Sequence, residues 1–316
     1  MAYCLDFHFH SSFSDGHGLP RDIVAAALAK DPRVRHLALS DHNSFQGSRP
    51  FLTACQATGI EGFVSCELSG SHPACKDREF HFLINFGPEW NDDVAARTRK
   101  FAPYFKMLHR VEAENAILFF DLLKAQGESQ DTVTAGYDIL RTTETDYESD
   151  DPPAEGVSLF KSIRRMIAEK KIPEKYGVRT PLELEKKLWN SAGRFPAPTP
   201  VINEAFDIIR ETRPRVTLAH PHKYNLDPAA LKPLLIEWMG TIGLFALELH
   251  YEGRLVSEYR PLADELGLLI SVGSDSHNLW KTPGRETSSG GLPVLDDELT
   301  ENAEILLDML RRRPAG

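Results

Sequence analysis

Apolar runs of strand length, most of them stopping in polar residues, recur at 3–10, 36–41, 61–68, 79–86, 215–220, 243–250 and 267–274. Helical patterns separate most of them, at 20–30, 45–58, 200–212, 227–239, 254–266 and 296–313. This alternation predicts parallel strands joined by helical crossovers, hence a largely parallel barrel or a doubly wound sheet. The connection from 63–67 to 80–86 is too short for a helix and interrupts the rhythm. A chain of 316 residues buries roughly three quarters of its unfolded surface, so its core needs neither disulfide nor metal to hold.

Residues 91–199 carry helical patterns but no convincing strand, whereas strand signals resume after 200. We read 1–90 and 200–316 as one barrel and 91–199 as a helical insertion. Within it, 110–126 predicts a helix ending before Gly127, a residue suited to the position after a helix. Thr180-Pro181-Leu182-Glu183 reads as a capping box with Pro in the first turn. Thr142 to Glu155 reads as an acidic loop.

The polar residues at the strand ends are the second constraint. His8 and His10 are two apart, which places both imidazoles on one face of an ideal strand, with Leu5, Phe7 and Phe9 on the other. The second run stops at Ser40-Asp41-His42-Asn43, the third at Ser65-Cys66-Glu67. In the fourth, His81 lies opposite the face of Phe80, Phe82, Ile84 and Phe86. The later runs end in Ala219-His220-Pro221 and Gly273-Ser274-Asp275-Ser276-His277. Each element alone has an ordinary reading: Asp15 before Gly16 suits a turn, and a single inward histidine suits a hydrogen-bonded core. Their joint recurrence where parallel strands end, the usual place for ligands and catalytic groups, is not ordinary.

Taken together, His8-x-His10 with Asp15-Gly16, Ser40-Asp41-His42, Glu67, His81, Ala219-His220-Pro221 and Gly273-Ser274-Asp275-x-His277 resemble the polymerase and histidinol phosphatase (PHP) family, in family order. The resemblance implies a distorted (β/α)7 barrel holding two or three divalent metals at its strand ends. It further implies His8, His10, Glu67 and Asp275 around a first metal. Glu67 would bridge to a second metal held by His81 and His220, and Asp15, His42 and His277 would hold a third. Asp41 is expected to orient a ligating histidine. Glu248 is a further inward candidate, left outside the ligand set. Catalysis would centre on Glu67 and Asp275.

The chemistry of this set is consistent with that. Six histidines and three carboxylates make a mixed nitrogen and oxygen environment suited to Mn, Fe or Zn. Three divalent ions against three carboxylates leave the pocket positive, although the chain carries a net charge of −10. Lys223 follows His220 closely and resembles a phosphate contact; Lys281 and Arg285 are weaker candidates, read as surface charge. The expected function is hydrolysis of a small phosphorylated metabolite, a nucleotide or sugar phosphate, through a metal-bridging hydroxide. A phosphodiesterase acting on a cyclic phosphate or on short oligonucleotides is the alternative, and a non-catalytic metal-stabilised regulatory module is a second one. The insertion would form a lid over the site and choose the substrate.

Composition excludes other classes. Asp plus Glu number 46 against 36 Lys plus Arg, which disfavours a general nucleic-acid binder. No apolar run reaches the roughly 20 residues of a membrane span. The first ten residues lack the pattern of a secretory leader, and four cysteines at 4, 55, 66 and 75 show no paired spacing. A cytoplasmic enzyme without a dedicated protein partner is expected.

Overall fold

The computed structural model describes residues 4–88, 94–142, 159–193, 199–251, 254–277 and 297–312. Eight strands form one sheet: β1 (Cys4–Phe9), β2 (Val34–Leu39), β3 (Glu61–His72), β4 (Cys75–Asn85), β5 (Arg215–Leu218), β6 (Leu244–Tyr251), the two-residue β7 (Arg254–Leu255) and β8 (Leu269–Gly273). Neighbours run β1-β2-β3-β4-β5-β6, with β8 beside β6 and β7 as a short hairpin partner of β6. Backbone bonds from Asp275 N–H to the His8 carbonyl (2.8 Å) and from His10 N–H to the Ser276 carbonyl (2.9 Å) bring the last strand back to the first. Seven strands thereby make a nearly closed α/β barrel of the PHP type expected from the sequence.

Two local features depart from the expected pattern. The link between β3 and β4 is a two-residue turn, Pro73-Ala74, and His72 pairs with Cys75 across it. A turn this short can only reverse the chain, so β4 is antiparallel to both neighbours. His81 therefore reaches the same rim as the other strand ends from just past the middle of β4. Glu67 likewise is not the end of its strand; β3 continues to His72.

The second departure is in β1. Asp6 pairs with Leu37 and Phe9 with Leu39, so β1 carries one extra residue there. A bulge of this kind breaks the two-residue alternation. Leu5 and Phe7 accordingly pack with Ala38 and Phe63, while Phe9 joins a separate cluster with Phe51, Cys55 and Leu39. The single apolar face expected for Leu5, Phe7 and Phe9 is thus split.

Helices cover the barrel. α1 (Pro20–Lys30) has Pro in its first turn, Asp22 beside it and Lys30 in its last turn, each favourable to the helix dipole. α2 (Ser48–Thr58) stops at Gly59, whose φ of 73° suits a residue without Cβ. Between β4 and β5 the chain forms α3 (Val94–Ala125), α4 (Gln130–Thr142), α5 (Leu159–Glu169), α6 (Ile172–Lys175), α7 (Pro181–Ala192) and α8 (Phe206–Thr212). Then α9 (Pro228–Ile242), α10 (Arg260–Leu266) and α11 (Asp297–Arg311) follow β5, β7 and β8 in turn.

The helix predicted over 110–126 begins much earlier, because α3 serves two cores. Phe101, Phe105 and Leu108 pack with Phe45 and Phe86 in the barrel core, and the Tyr104 hydroxyl donates to the Ser69 carbonyl at 2.8 Å. One face further along, Ala116, Phe119, Phe120 and Leu123 pack with Val133, Ile163, Ile167, Leu184 and Leu188. Thr180 caps α7 by accepting from Glu183 N–H at 3.2 Å, and the Glu183 carboxylate accepts from Arg179 N–H at 2.8 Å, one residue before the cap. Of the acidic loop expected at 142–155, residues 143–155 lie outside the described residues, as do Lys281 and Arg285. Among the described residues no helix is long and apolar enough to cross a membrane.

Candidate metal centre

Glu67 is fully buried on β3, and five imidazoles converge on its two oxygens. Oε1 lies 2.7 Å from His81 Nδ1 and 2.9 Å from His220 Nε2. Oε2 lies 3.1 Å from His8 Nε2, 3.2 Å from His10 Nε2 and 3.1 Å from His42 Nδ1. Asp275 Oδ1 completes the inner group at 3.1 Å from His10 Nε2 and 3.5 Å from His8 Nε2. On the outer side, Asp15 Oδ1 is 3.1 Å from His277 Nε2 and 3.7 Å from His42 Nε2. All nine residues singled out from the sequence are thus brought to one place.

Eight of them fall into overlapping groups whose ligand atoms lie within 4.8 Å of one another: His8, His10, Glu67 and Asp275; His10, Asp15, His42 and His277; and His42, Glu67 and His81. His220 joins through its contact with Glu67 Oε1. His10 belongs to two of these groups, and His42 reaches Glu67 as well as Asp15. The division expected from the sequence had given each of them a single place.

A metal fits this arrangement better than hydrogen bonding does. His8 Nε2 and His10 Nε2 are 3.2 Å apart, and both face Glu67 Oε2, a buried oxygen that makes no well-aligned hydrogen bond. Buried polar atoms are normally satisfied. Three ring nitrogens within 3.1–3.2 Å of one such oxygen are the mixed nitrogen and oxygen surroundings that a cation takes. The residues of these groups could hold metal ions.

Without cations, the groups charge one another. Burial disfavours imidazolium at His8, but Glu248, Glu67 and Asp275 outweigh it and hold His8 well above its usual range. Burial likewise opposes charge at His10 and His81, yet the carboxylates push each up to about 10. His42 goes the other way, down to about 4, because burial dominates and His10 and His81 add like charge. Burial also opposes the charge of Glu67 and Asp275, but the surrounding histidines hold both well below the usual carboxylate range.

The backbone is bent to deliver these groups. His220, Asp275 and Asn43 have φ of 29°, 50° and 48°. Residues other than glycine rarely adopt such values, and they concentrate at functional sites where surrounding structure over-determines them. Asn43 is held by its own side chain, which accepts from Ser69 N–H at 2.8 Å and donates to Ser69 Oγ at 3.1 Å.

Asp41 does not orient a histidine. Its Oδ1 accepts from Ser11 N–H and Ser14 Oγ, both at 2.7 Å, and its Oδ2 accepts from Ser11 Oγ at 2.8 Å. It ties down the loop after β1 that carries Asp15. Two carboxylates from outside the set contact candidate ligands: Glu248, 2.9 Å from His8 Nδ1, and Glu79, 3.5 Å from His81 Nε2. Lys223 Nζ stands at the edge of the cluster, 2.7 Å from Asp275 Oδ2. Asp6 was not singled out from the sequence; buried beneath the centre, it accepts from Ser274 N–H at 3.0 Å and His8 N–H at 3.1 Å.

Fold and site together define an α/β barrel with a candidate multi-metal centre at one rim. The PHP domain family model matches residues 6–137, the part of the chain that carries β1 to β4 and most of the candidate ligands. No curated protein sequence matches it. Among solved structures, it is similar to an amidohydrolase from Chromobacterium violaceum that holds sulfate and no metal: 20% identity and a TM-score of 0.64, covering 95% of this chain and 96% of that one. A protein from Bifidobacterium adolescentis, provisionally named a metal-dependent phosphoesterase, gives 19% identity and a TM-score of 0.64, covering 95% and 96%. At such identities the likeness speaks to the fold, over essentially the full length of both.

Proposed function

We propose that the protein is a metal-dependent hydrolase of phosphate esters, acting on a small phosphorylated metabolite such as a nucleotide or sugar phosphate. The observation that carries this reading is the convergence of five histidines on Glu67 beside Asp275. Bound divalent ions of the Mn, Fe or Zn kind would supply an acidified water and hold phosphoryl oxygens through in-line displacement. The chain's own residues then do the rest. Glu67 spans the groups and fixes their separation. Asp275 closes the inner group. Lys223, next to Asp275, is placed to bind a phosphate oxygen as a point charge without the fork of an arginine.

The same reading makes the segment 91–199 a lid. Supporting it, Glu112 on α3 lies one turn beyond Leu108, on the stripe by which α3 packs on the barrel. Burial, with Glu79 and Asp15 adding like charge, pushes Glu112 up to about 7, and Arg164 on α5 acts the other way. The influence of Asp15 and Glu79 on Glu112 supports a place for α3 beside the candidate site. A reducing setting such as the cytoplasm suits the sparse cysteine usage.

The test is turnover by protein loaded with Mn2+, with and without EDTA, on phosphate monoesters, cyclic and linear diesters and short oligonucleotides. Metal-dependent monoester hydrolysis is expected. Preference for diesters or oligonucleotides would replace the monoester reading, and stoichiometric metal without turnover on any of them would leave a regulatory module.

A further inference from the structure

We infer that Glu248 is a positioning residue that couples two metal positions by holding one ligand of each. It lies on β6 with no exposure to solvent. Its Oε1 is 2.9 Å from Nδ1 of His8, and its Oε2 accepts from the backbone N–H of His220 at 3.0 Å. His8 serves the inner group with His10, Glu67 and Asp275. His220 reaches the other oxygen of Glu67, at 2.9 Å, on the side of His81.

The two bonds do different jobs. A carboxylate only accepts, so the His8 ring must carry its proton on Nδ1, and Nε2 is left to present a lone pair to the cluster. Outer partners of this kind fix the tautomer and ring plane of a ligating histidine. At His220 the bond is to the backbone. That residue has φ 29° and ψ 59°, a conformation that persists only when neighbours enforce it. The Glu248 oxygen is one such neighbour, and it holds the turn from which the imidazole reaches Glu67.

The barrel leaves room for this carboxylate deliberately. A Cβ on Gly273 of β8 would sit 2.0 Å from Glu248 Oε1 and 2.4 Å from the His8 Cβ. Only glycine lets β8 pass beside the pair. A carboxylate is also the one side chain of this length that offers two acceptors to two N–H donors; glutamine offers one acceptor and turns an N–H2 towards whichever donor remains.

This inference rests on reading the cluster as a metal centre, and its test keeps the two apart. Full-length protein stripped with chelator is titrated calorimetrically with Mn2+ alone. Wild type is expected to take up at least two ions. Glu248→Gln should weaken one of them about 10- to 100-fold, with the circular dichroism and the melting temperature in EDTA close to wild type. Gly273→Ala, which displaces the carboxylate from the other side, should weaken the same step. In Zn2+-loaded wild type, 15N shifts of His8 should report a protonated Nδ1 and a coordinated Nε2. Wild-type Mn2+ uptake by Glu248→Gln, or a His8 coordinated through Nδ1, overturns the role of Glu248 and leaves the metal centre standing. Absence of uptake by wild type overturns the metal centre itself.

Discussion

Lys223 Nζ and Asp275 Oδ2 are 2.7 Å apart, so a cation at the edge of the cluster is held by a residue of the cluster. Asp275 Oδ1 meanwhile faces His10 Nε2 at 3.1 Å. One carboxylate therefore links the ammonium to the inner group, and an anion bound at that group would lie beside Lys223. A charge-assisted hydrogen bond to phosphate contributes about 1.5–3 kcal/mol, and Lys223 is half-exposed, which favours the lower end. Lys223→Ala is expected to raise KM about tenfold for every phosphorylated substrate, with a smaller change in kcat. Steady-state kinetics on several esters check this; an unchanged KM would make the lysine a partner of Asp275 only.

Glu67 and Asp275 test the centre itself. Glu67→Gln takes charge from a carboxylate facing five imidazoles, and Asp275→Asn does so in the inner group. Each should lower turnover by about 100-fold or more, since the charge that holds the cations acts directly on the reacting group. The barrel should stay folded, because its core of Phe7, Phe63, Phe80, Phe82 and Trp238 is untouched. Activity, metal content and circular dichroism of the two variants separate these outcomes; near-normal turnover with metal bound would place the site elsewhere.

Which parts of this were readable from the chain follows from how local each signal is. The convergence of the candidate ligands was legible because all but Asp15 sit in or beside an apolar run, most within a short motif. The reversal of β4 was half legible: the short link to it ruled out a helix, but the sequence does not say that His81 then enters from within an antiparallel strand rather than from a strand end. The bulge in β1 was not legible, since it is defined by pairing with Leu37 and Leu39 and not by anything between Asp6 and Phe9. Asp41 and Glu248 were both visible as inward carboxylates. Their jobs depended on partners 27 to 30 and 240 residues away, which only the closed barrel specifies.

Stability of the chelated protein should depend on pH in a defined direction. His10 and His81 are raised from 6.5 to about 10 in the folded chain. A raised histidine contributes stability that is complete below its unfolded value and is lost as pH climbs through the folded one. The melting temperature in EDTA should therefore fall progressively between about pH 6.5 and 10. Metal ligation deprotonates these rings already, so metal-loaded protein should not follow that trend. On the acid side Glu67 and Asp275, both lowered, lose their contribution as pH falls below the ordinary carboxylate range. Thermal melts in EDTA and in Mn2+ across this window decide; a flat EDTA profile from pH 7 to 10 would contradict the charge pattern.

The last prediction concerns the lid. The strands fix where the scissile phosphate sits, so discrimination among leaving groups must come from what projects over the rim. Glu112 on α3 feels the like charge of Asp15 and Glu79 and the opposing charge of Arg164, and lies 3.9 Å from His109. A carboxyl there favours hydroxyl- or amino-bearing leaving groups and repels a second anionic group. Glu112→Gln keeps the shape and removes the charge. It should leave metal content unchanged and shift the ranking of substrates by about three- to tenfold in kcat/KM, in favour of esters carrying an additional negative charge. Lys223→Ala, by contrast, should move all substrates together. Competition assays with paired esters that differ only in that extra charge give the ratio directly, and an unchanged ratio would remove Glu112 from substrate selection.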